Sequence, residues 1–493
     1  MTDTTENTHV ATDLETAMTD AAAAAPALAA SLPADRAAWL RAIADRLDAD
    51  ADSLVELAVR ESHLTGPRLS GELVRTTFQL RLFARLVEEG RYLEATIDHA
   101  DPDWPMGARP DLRRMLRPLG PAAVYAASNF PFAFSVAGGD TAAAIAAGAP
   151  VVVKAHPAHP ELSRAVARHV QAALEASDAP RGVFALVEGH ETGRELVLDP
   201  RLTVATFTGS LTGGRALFDL AASRPVPIPF YGELGSVNPV FVTRAAAEAR
   251  AQEIADGFAA SMTLGVGQFC TKPGVLLVPD GSELGERVAA AVAGASGGTM
   301  LYDAIRDGYF ASLAPLAERS DVELLAGSPE PADTPTPTLY GTDAATFAAH
   351  IDELLEEHFG PAALLVRYRS DAELLEVARA LDGQLTATIH GEESDAADGP
   401  AARLAEVLAD KAGRVLWNGW PTGVSVTYAQ QHGGPYPATT APHFTSVGTA
   451  SIGRFLRPVA YQDTPDALLP PALQEANPWR IPRLVDGELV LPA

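Results

Sequence analysis

Residues 121–154, PAAVYAASNFPFAFSVAGGDTAAAIAAGAPVVVK, decide the fold of this chain. The apolar run at 122–126 predicts a strand, and the run at 151–153 predicts a second one. The alanine-rich stretch at 136–147 between them predicts a helix. Strand, helix and strand in this order predict a parallel pair, because the crossover helix returns the chain to the same end of the sheet.

The same alternation continues toward the C-terminus. Further apolar runs predict strands at 183–187, 204–207, 274–278 and 362–367. The first hundred residues instead show the apolar spacing of helices, which we predict at 33–47 and at 71–89, the second ended by Gly90. The segment 327–337, rich in Pro, Ser, Thr and Asp, predicts a loop. We therefore predict two α/β domains built on parallel sheets.

The composition restricts the partners that the chain can bind. Its 493 residues include 37 Lys and Arg against 63 Asp and Glu, which gives a formal charge of −26. This charge argues against nucleic acid and anionic membranes as partners, because both require basic surfaces, but not against a small anion. The start MTDTTE lacks the positive region of a signal peptide, and the alanine run at 21–25 is too short to span a bilayer. We predict a cytoplasmic protein with small-molecule ligands and no metal site.

The chain contains a single cysteine, Cys270, in the run GQFCTKPG at 267–274. One thiol excludes an intramolecular disulfide, and the flanking glycines and proline predict a loop. Two interpretations fit the residue alone: a small buried hydrophobic side chain, or a nucleophile whose thiolate attacks a carbonyl carbon. The thiol is predicted to lie near the junction of the two α/β domains.

Lysine is almost absent from the chain. Lys154, Lys272 and Lys411 are its only lysines, and arginine supplies the other positive charges. Because arginine replaces lysine easily on a surface but not where a compact ammonium must reach one position, the remaining lysines are candidates for specific roles.

Five short motifs occur in a fixed order along the chain. They are ASNFPF at 127–132, VVK at 152–154, FTGS at 207–210 with Gly214 beyond it, ELGSVNP at 233–239 and EEHFGP at 356–361. With the Cys270 loop, their order and spacing resemble the aldehyde dehydrogenase superfamily from the helical N-terminus to about residue 461. Three more motifs resemble the branch of 2,5-dioxopentanoate (α-ketoglutarate semialdehyde) dehydrogenases, which NADP-dependent long-chain aldehyde dehydrogenases share: PIPFYGEL at 227–234, GQFCT at 267–271 and QHGGPYP at 431–437.

The resemblance implies a catalytic role for three residues. Cys270 would form a thiohemiacetal and then a thioester, and the Asn129 amide with the Cys270 backbone N–H would bind the oxyanion. Glu233 would be the general base that activates water, for which we expect burial to raise its pKa. Without the resemblance, Asn129 fits a turn before Phe-Pro and Glu233 fits a surface carboxylate at a strand end.

The resemblance also implies a dinucleotide site. Lys154 would bind the adenosine ribose, Ser210 would cap a helix whose N-terminus faces the pyrophosphate, and Glu357 would orient the nicotinamide ribose. The full predicted set is Lys154, His156, Pro157, Phe207, Gly209, Ser210, Gly214, Leu234, Glu357 and Phe359. NAD-preferring members commonly carry a glutamate where this chain has Pro157, so we predict NADP, assisted by His156, with NAD also accepted.

The implied fold class is α/β, with a Rossmann-like dinucleotide-binding domain, an α/β catalytic domain and a small β oligomerisation element. We assign 1–106 and 121–234 to the helical N-terminus and cofactor-binding domain, 235–443 to the catalytic domain, and 107–120 and 444–480 to the oligomerisation element. The expected assembly is a homodimer or homotetramer formed through 110–116 and 451–457.

The implied activity is NAD(P)-dependent oxidation of an aldehyde to a carboxylic acid, with 2,5-dioxopentanoate as the predicted substrate. The alternatives are a long-chain or general aliphatic aldehyde dehydrogenase, a CoA-acylating member, a thiol hydrolase and an inactive relative. Lys272 stands where this branch usually has a small polar residue. It could lower the Cys270 pKa, meet a substrate carboxylate or point into solvent.

Overall fold

The computed structural model describes residues 10–397 and 399–492, so the acidic start MTDTTE lies outside the described residues. The helices are α1 Leu14–Ala30, α2 Pro33–Ala49, α3 Ala51–Ser62, α4 Gly66–Glu89, α5 Gly139–Ala147, α6 Pro160–Ala176, α7 His190–Leu198, α8 Leu211–Ser223, α9 Arg244–Thr263, α10 Leu284–Ala293, α11 Asp303–Ala317, α12 Ala344–Ala349, α13 Ile351–Leu354, α14 Asp371–Ala380, α15 Glu393–Ala396 and α16 Pro400–Ala409. Among the described residues, no helix is both long and apolar enough to cross a membrane.

The first sheet is the parallel sheet that the sequence predicts. Its strands are β3 Ala122–Tyr125, β4 Val151–Lys154, β5 Phe184–Val187, β6 Val204–Thr208 and β7 Phe230–Glu233. They are ordered β5-β4-β3-β6-β7, and all of their pairings are parallel. Alternate residues of β3 enter different cores: Val124 packs with α2, α5 and α6, and Tyr125 packs with α1 and α7. The sheet is therefore buried on both faces, as parallel sheets require.

A second sheet follows in the chain and carries the other α/β domain. Its strands are β8 Val240–Val242, β9 Val275–Pro279, β10 Glu323–Ala326, β11 Thr338–Asp343, β12 Ala362–Tyr368, β13 Gln384–His390 and β14 Ala412–Trp417. The order is β10-β11-β12-β9-β8-β13-β14, with only the β10–β11 pair antiparallel. The prediction of two α/β units is confirmed.

A third, separate sheet includes residues 112–116 and 456–457 of the segments predicted to mediate oligomerisation, while residues 451–455 belong to a short 3-10 helix. Its strands are β1 Thr96–Asp98, β2 Leu112–Pro118, β15 Leu456–Gln462, β16 Arg483–Val485 and β17 Glu488–Val490. β2 pairs antiparallel with both β15 and β1, and the order is β15-β2-β1-β16-β17. The sheet extends beyond the predicted boundaries, because it includes residues 96–98 and 483–490. Its role in association stays a prediction.

Two predicted helices have different starts. The helix predicted at 136–147 begins at Gly139, because residues 130–138 form turns in which the Ala127 N–H donates to the Phe134 carbonyl at 2.9 Å. The helix predicted at 71–89 begins five residues earlier, at Gly66, and ends at Gly90, whose φ of 72° is the left-handed conformation that glycine tolerates. The loop predicted at 327–337 is confirmed.

Candidate active site

The carboxyl ends of parallel strands place the predicted residues at one edge of the first sheet. Asn129 follows β3, Lys154 ends β4 and Glu233 ends β7. A cavity of about 370 Å³ lies at this edge, which is where open parallel sheets bind ligands. The predicted residues that line it are Asn129, His156, Phe207, Gly209, Ser210, Leu234, Cys270, Glu357 and Phe359. Lys154, Pro157, Gly214 and Glu233 are not among the residues that line it.

The Cys270 loop has the unusual backbone that its glycines predict. Gly265, Val266 and Gly267 have φ of 57°, 58° and 68°. A Cβ on Gly267 would lie 2.3 Å from the Gly360 carbonyl oxygen, so a larger residue there would separate two packed backbones. The nucleophile loop is thereby held against the loop that carries Glu357.

Asn129 and Cys270 line the same cavity, and the amide of Asn129 is a buried hydrogen-bond donor. Its side chain is buried, and its Nδ2 donates one hydrogen bond, at 3.1 Å, to the Gln268 carbonyl. The second amide hydrogen has no acceptor in the part of the chain that the structure describes. Its backbone carbonyl accepts from Arg68 Nη2 at 2.6 Å, which fixes the turn. Asn129 is thus a buried amide with one donor available beside Cys270.

Glu233 is held by two residues to which the sequence analysis assigned no role. His432 Nε2 donates to Glu233 Oε1 at 2.9 Å, and Ser446 Oγ donates to Glu233 Oε2. His432 is 1% exposed and Glu233 is 3% exposed, so water does not screen this contact. His432 Nε2 also lies 3.5 Å from Cys270 Sγ. The thiol, the imidazole and the carboxylate therefore form one buried cluster.

The pKa of Glu233 moves in the direction opposite to the prediction. Burial acts to raise it, but the charge and hydrogen bond of His432, with hydrogen bonds from Ser446 and Cys270, outweigh burial and hold the pKa below 4.5. The expected increase in pKa is therefore wrong, because the sequence gives no sign of these donors. Glu233 is an ionised carboxylate at neutral pH, able to accept a proton.

The Cys270 thiol is the complementary proton donor. Burial, followed by the negative charge of Glu233, raises the pKa of Cys270 well above 9.0. The thiol is consequently protonated at neutral pH and must transfer its proton to a neighbouring base before the sulfur attacks. The Glu233–His432 pair is the base within reach.

His432 and Ser446 are fixed together by their own segment. The His432 N–H donates to Thr445 Oγ1 at 2.8 Å, and the Ser446 N–H donates to the His432 carbonyl at 2.8 Å. In the sequence, His432 was marked only as part of the motif at 431–437. That motif indicated the branch of the family but gave no role to any of its residues.

We expect His432→Asn to lower kcat/KM by about tenfold to a hundredfold, because a buried charge-assisted hydrogen bond is lost. The pKa of Glu233 should rise, because the charge and hydrogen bond of His432 no longer oppose burial, and the pKa of Cys270 should rise because the carboxylate beside it has lost this partner. The rate of Cys270 alkylation, measured against pH, should therefore move to higher pH. His443→Asn is the matched control, because His443 is exposed beside Phe444. Identical alkylation profiles for wild type and His432→Asn would contradict the assignment.

Lys272 does not occupy any of the positions considered for it. Its side chain is 2% exposed, and Nζ donates to the carbonyls of His358 at 2.9 Å and Ala362 at 2.7 Å. It is therefore neither in solvent nor committed to the sulfur or a substrate carboxylate. Its charge acts on Glu357, whose pKa burial raises and Lys272 opposes. Lys272 connects the nucleophile loop to the loop that carries Glu357 and Phe359.

The helix that starts at the cavity has the predicted cap. Ser210 Oγ accepts from the Gly213 N–H at 3.2 Å, at the N-terminus of α8. Gly214 lies behind the cavity wall, where a Cβ would be 2.1 Å from a methyl of Leu234. This glycine allows α8 to pack closely against Leu234, the residue that follows β7. It therefore faces the protein interior and does not line the cavity.

Lys154 and His156 both present available donors. Among the described residues, Lys154 Nζ has no hydrogen bond or ion pair, and burial lowers its pKa. Burial, with the charges of His159 and Lys154, lowers the pKa of His156 to about 3, so its ring is neutral. His156 Nδ1 accepts from the Ala158 N–H at 3.1 Å, which leaves the proton on Nε2 as a donor. Pro157 is exposed and carries no charge that would repel a phosphate.

The sequence of the chain matches a known protein family and several characterised relatives. The aldehyde dehydrogenase family model matches residues 4–435. The chain is 51% identical over 464 residues to α-ketoglutaric semialdehyde dehydrogenase 2 of Azospirillum brasilense, covering 92% of this chain and 87% of that protein. It is 43% identical to the α-ketoglutaric semialdehyde dehydrogenase of Acinetobacter baylyi, with the same coverage.

Solved structures share the fold at lower identity. A 3,6-anhydro-L-galactose dehydrogenase in complex with NAP has a TM-score of 0.77 at 21% identity, covering 91% of both chains. Lactaldehyde dehydrogenase from Escherichia coli has a TM-score of 0.77 at 21% identity, covering 92% of this chain and 91% of that one. These matches confirm the predicted α/β fold class.

Proposed function

The chain belongs to the aldehyde dehydrogenase family, and from this premise we propose that it oxidises 2,5-dioxopentanoate to 2-oxoglutarate with NADP. Oxidation of an aldehyde with a nicotinamide dinucleotide is the activity of the family. The choice of substrate rests on the similarity to two α-ketoglutaric semialdehyde dehydrogenases, which are 51% and 43% identical over 92% of the chain.

The residues at the cavity support a covalent mechanism. The thiol proton passes to the Glu233–His432 pair as Cys270 Sγ bonds to the aldehyde carbon, forming a thiohemiacetal. The Asn129 amide and the Cys270 N–H stabilise the oxyanion. A dinucleotide held at the N-terminus of α8 and by Lys154 would supply the acceptor for the hydride that leaves this carbon. After the first proton has left to solvent, Glu233 removes a proton from the water that attacks the resulting thioester, and this proton returns to the departing thiolate, which releases the acid and restores the thiol.

The described residues fit a dinucleotide, and their donors favour NADP. The capped N-terminus of α8 at Ser210 borders the cavity and presents unpaired amides, which suit a pyrophosphate. Lys154 and the Nε2–H of His156 are the available donors for ribose and 2′-phosphate. The position of Pro157 carries no carboxylate to exclude the phosphate. We propose NADP as the preferred cofactor, with NAD as a second one.

A substrate screen with purified protein tests this function. We expect kcat/KM for 2,5-dioxopentanoate to exceed that for decanal by at least about 100-fold, and NADP to be used with higher kcat/KM than NAD. The yield of 2-oxoglutarate should be independent of CoA, because we propose that Glu233 activates water for hydrolysis of the thioester. A preference for decanal would favour the long-chain alternative. A strong preference for NAD would contradict the cofactor assignment.

The proposal also covers the oligomeric state of the protein and its location in the cell. We propose a cytoplasmic homodimer or homotetramer assembled through the third sheet, in which β2 carries most of the predicted segment 110–116 and β15 begins within the predicted segment 451–457. Measuring the molar mass of the purified protein in solution tests the assembly, and a monomer would contradict it.

A further inference from the structure

We propose that Arg75 binds the remote carboxylate of the aldehyde substrate and so selects oxo acids over uncharged aldehydes of the same length. The inference rests on the proposed function, because it names the group that would recognise one end of that substrate. It concerns a part of the molecule that lies outside the dinucleotide cavity.

Arg75 lies on the face of α4 that packs beside the nucleophile. Arg68, Glu72 and Arg75 share this face, since their spacing is i, i+4 and i+7. Glu72 Oε1 accepts two backbone N–H groups of the turn after β3, at 2.8 and 3.0 Å. Arg68 donates to the Asn129 carbonyl at 2.6 Å. The same helix face therefore holds the oxyanion turn and presents Arg75 next to it.

The Arg75 guanidinium is not committed to another group. Its Cζ lies 5.8 and 5.3 Å from the ring centres of Phe130 and Phe134. Its Nε is buried without a hydrogen-bond partner, and Arg75 makes no hydrogen bond or ion pair with any residue that the structure describes. Arg414 differs, because its guanidinium donates to two backbone carbonyls, those of Pro421 and Gly423.

A partly buried cation without hydrogen bonds is costly unless anions compensate for it, and Glu72, one turn earlier on α4, does so only in part, since its carboxylate binds the turn after β3. Burial without hydrogen bonds disfavours the charged guanidinium, while arginine stays protonated in proteins. A carboxylate from the substrate would supply paired acceptors in the planar arrangement that a guanidinium matches. Arg75 thus has the chemistry of an anion receptor in a protein whose net charge is −26.

The position of Arg75 fits a short oxo acid bonded to Cys270. Its charge acts first on Glu72 and then on the Cys270 thiol and Glu233, so the guanidinium lies near the reacting sulfur. Neither Arg75 nor the rings of Phe130 and Phe134 line the dinucleotide cavity. In 2,5-dioxopentanoate, three carbons separate the aldehyde carbon from the carboxylate. An aldehyde held at the sulfur would place its carboxylate toward Arg75 and its methylenes toward the rings.

The test compares Arg75→Met with wild type on 2,5-dioxopentanoate and on pentanal, at saturating NADP. We expect kcat/KM for 2,5-dioxopentanoate to fall by about 10- to 100-fold, mainly through KM, while that for pentanal changes less than about threefold. Arg75→Lys should recover part of the loss, because the charge returns without the planar fork. Arg85→Met is the matched control, since Arg85 is an exposed arginine of the same helix that lies over the ring of Phe78.

Two results would overturn the inference. Equal losses on both substrates would show that Arg75 only supports the fold or the sulfur, and unchanged KM for 2,5-dioxopentanoate would show that the carboxylate binds elsewhere. The proposed function fails separately, if wild type prefers decanal. In that case 5-oxopentanoate is used instead of 2,5-dioxopentanoate. The ratio of its kcat/KM to that of pentanal, compared between Arg75→Met and wild type, then decides whether Arg75 binds the carboxylate.

Discussion

Replacing Cys270 with alanine is expected to lower kcat by at least about 10⁴-fold, because no other group can form the covalent intermediate. Cys270 is the only cysteine of the chain. The neighbouring acceptors, Glu233 and His432, are buried and bonded to each other, so neither replaces the sulfur as a nucleophile. Initial rates of NADPH formation from 2,5-dioxopentanoate measure this loss.

The same variant should still bind the dinucleotide. The residues proposed for that role lie on β4, on α8 and in the loop before β12, and none depends on the thiol for its position. Quenching of protein fluorescence by NADPH should therefore give a dissociation constant within about threefold of wild type. Thr271→Ser is the control for disturbance of the loop, because Thr271 is a buried neighbour of Cys270. Activity of Cys270→Ala within tenfold of wild type would place the chemistry elsewhere.

Local patterns were sufficient to predict the elements that carry the site. The strands that end at Lys154 and Glu233 are short apolar runs, and their register follows from burial on both faces. The loop around Cys270 is marked by glycines, and the cap at Ser210 by its position after a strand. Each of these signals is contained within about ten residues of sequence, so no knowledge of distant contacts was required.

Contacts between distant parts of the chain were not predictable from such patterns. His432 and Ser446 lie 199 and 213 residues from Glu233, and their approach depends on how the segment between them lies beside β7 at the edge of the first sheet. The direction of the Glu233 pKa follows from these two donors and was therefore wrong. The sequence left three places open for Lys272, at the sulfur, at a substrate carboxylate or in solvent, whereas its ammonium binds carbonyls about ninety residues away.

Replacing Glu233 with glutamine should separate the two halves of the reaction. The amide preserves the shape of the side chain but cannot accept a proton from water, so hydrolysis of the thioester should slow by about 10²- to 10³-fold. The amide of glutamine can donate to His432 Nε2 instead of accepting from it, which frees the lone pair of this nitrogen, 3.5 Å from the sulfur, to take the thiol proton, so the thioester should still form. We expect a burst of about one NADPH per active site, followed by slow turnover.

Two further measurements identify the species that accumulates in Glu233→Gln. Intact mass of the protein after the burst should increase by the acyl group of the substrate, and hydroxylamine should remove it. Glu356→Gln is the matched control, because Glu356 is exposed and should give neither a burst nor an adduct. Absence of both the burst and the adduct in Glu233→Gln would show that Glu233 acts before the thioester forms.

The pH dependence of hydrolysis gives an independent check on Glu233. Its pKa in the folded protein lies below 4.5, so the carboxylate is ionised at neutral pH and becomes protonated only as the pH falls through that lower value. Water activation should therefore be constant from neutral pH down to about pH 5 and decline below it. In Glu233→Gln this acid limb should disappear, since the titrating base is gone. A limb centred near pH 6 to 7 in wild type would instead show that burial dominates over His432 and Ser446, as the sequence alone suggested.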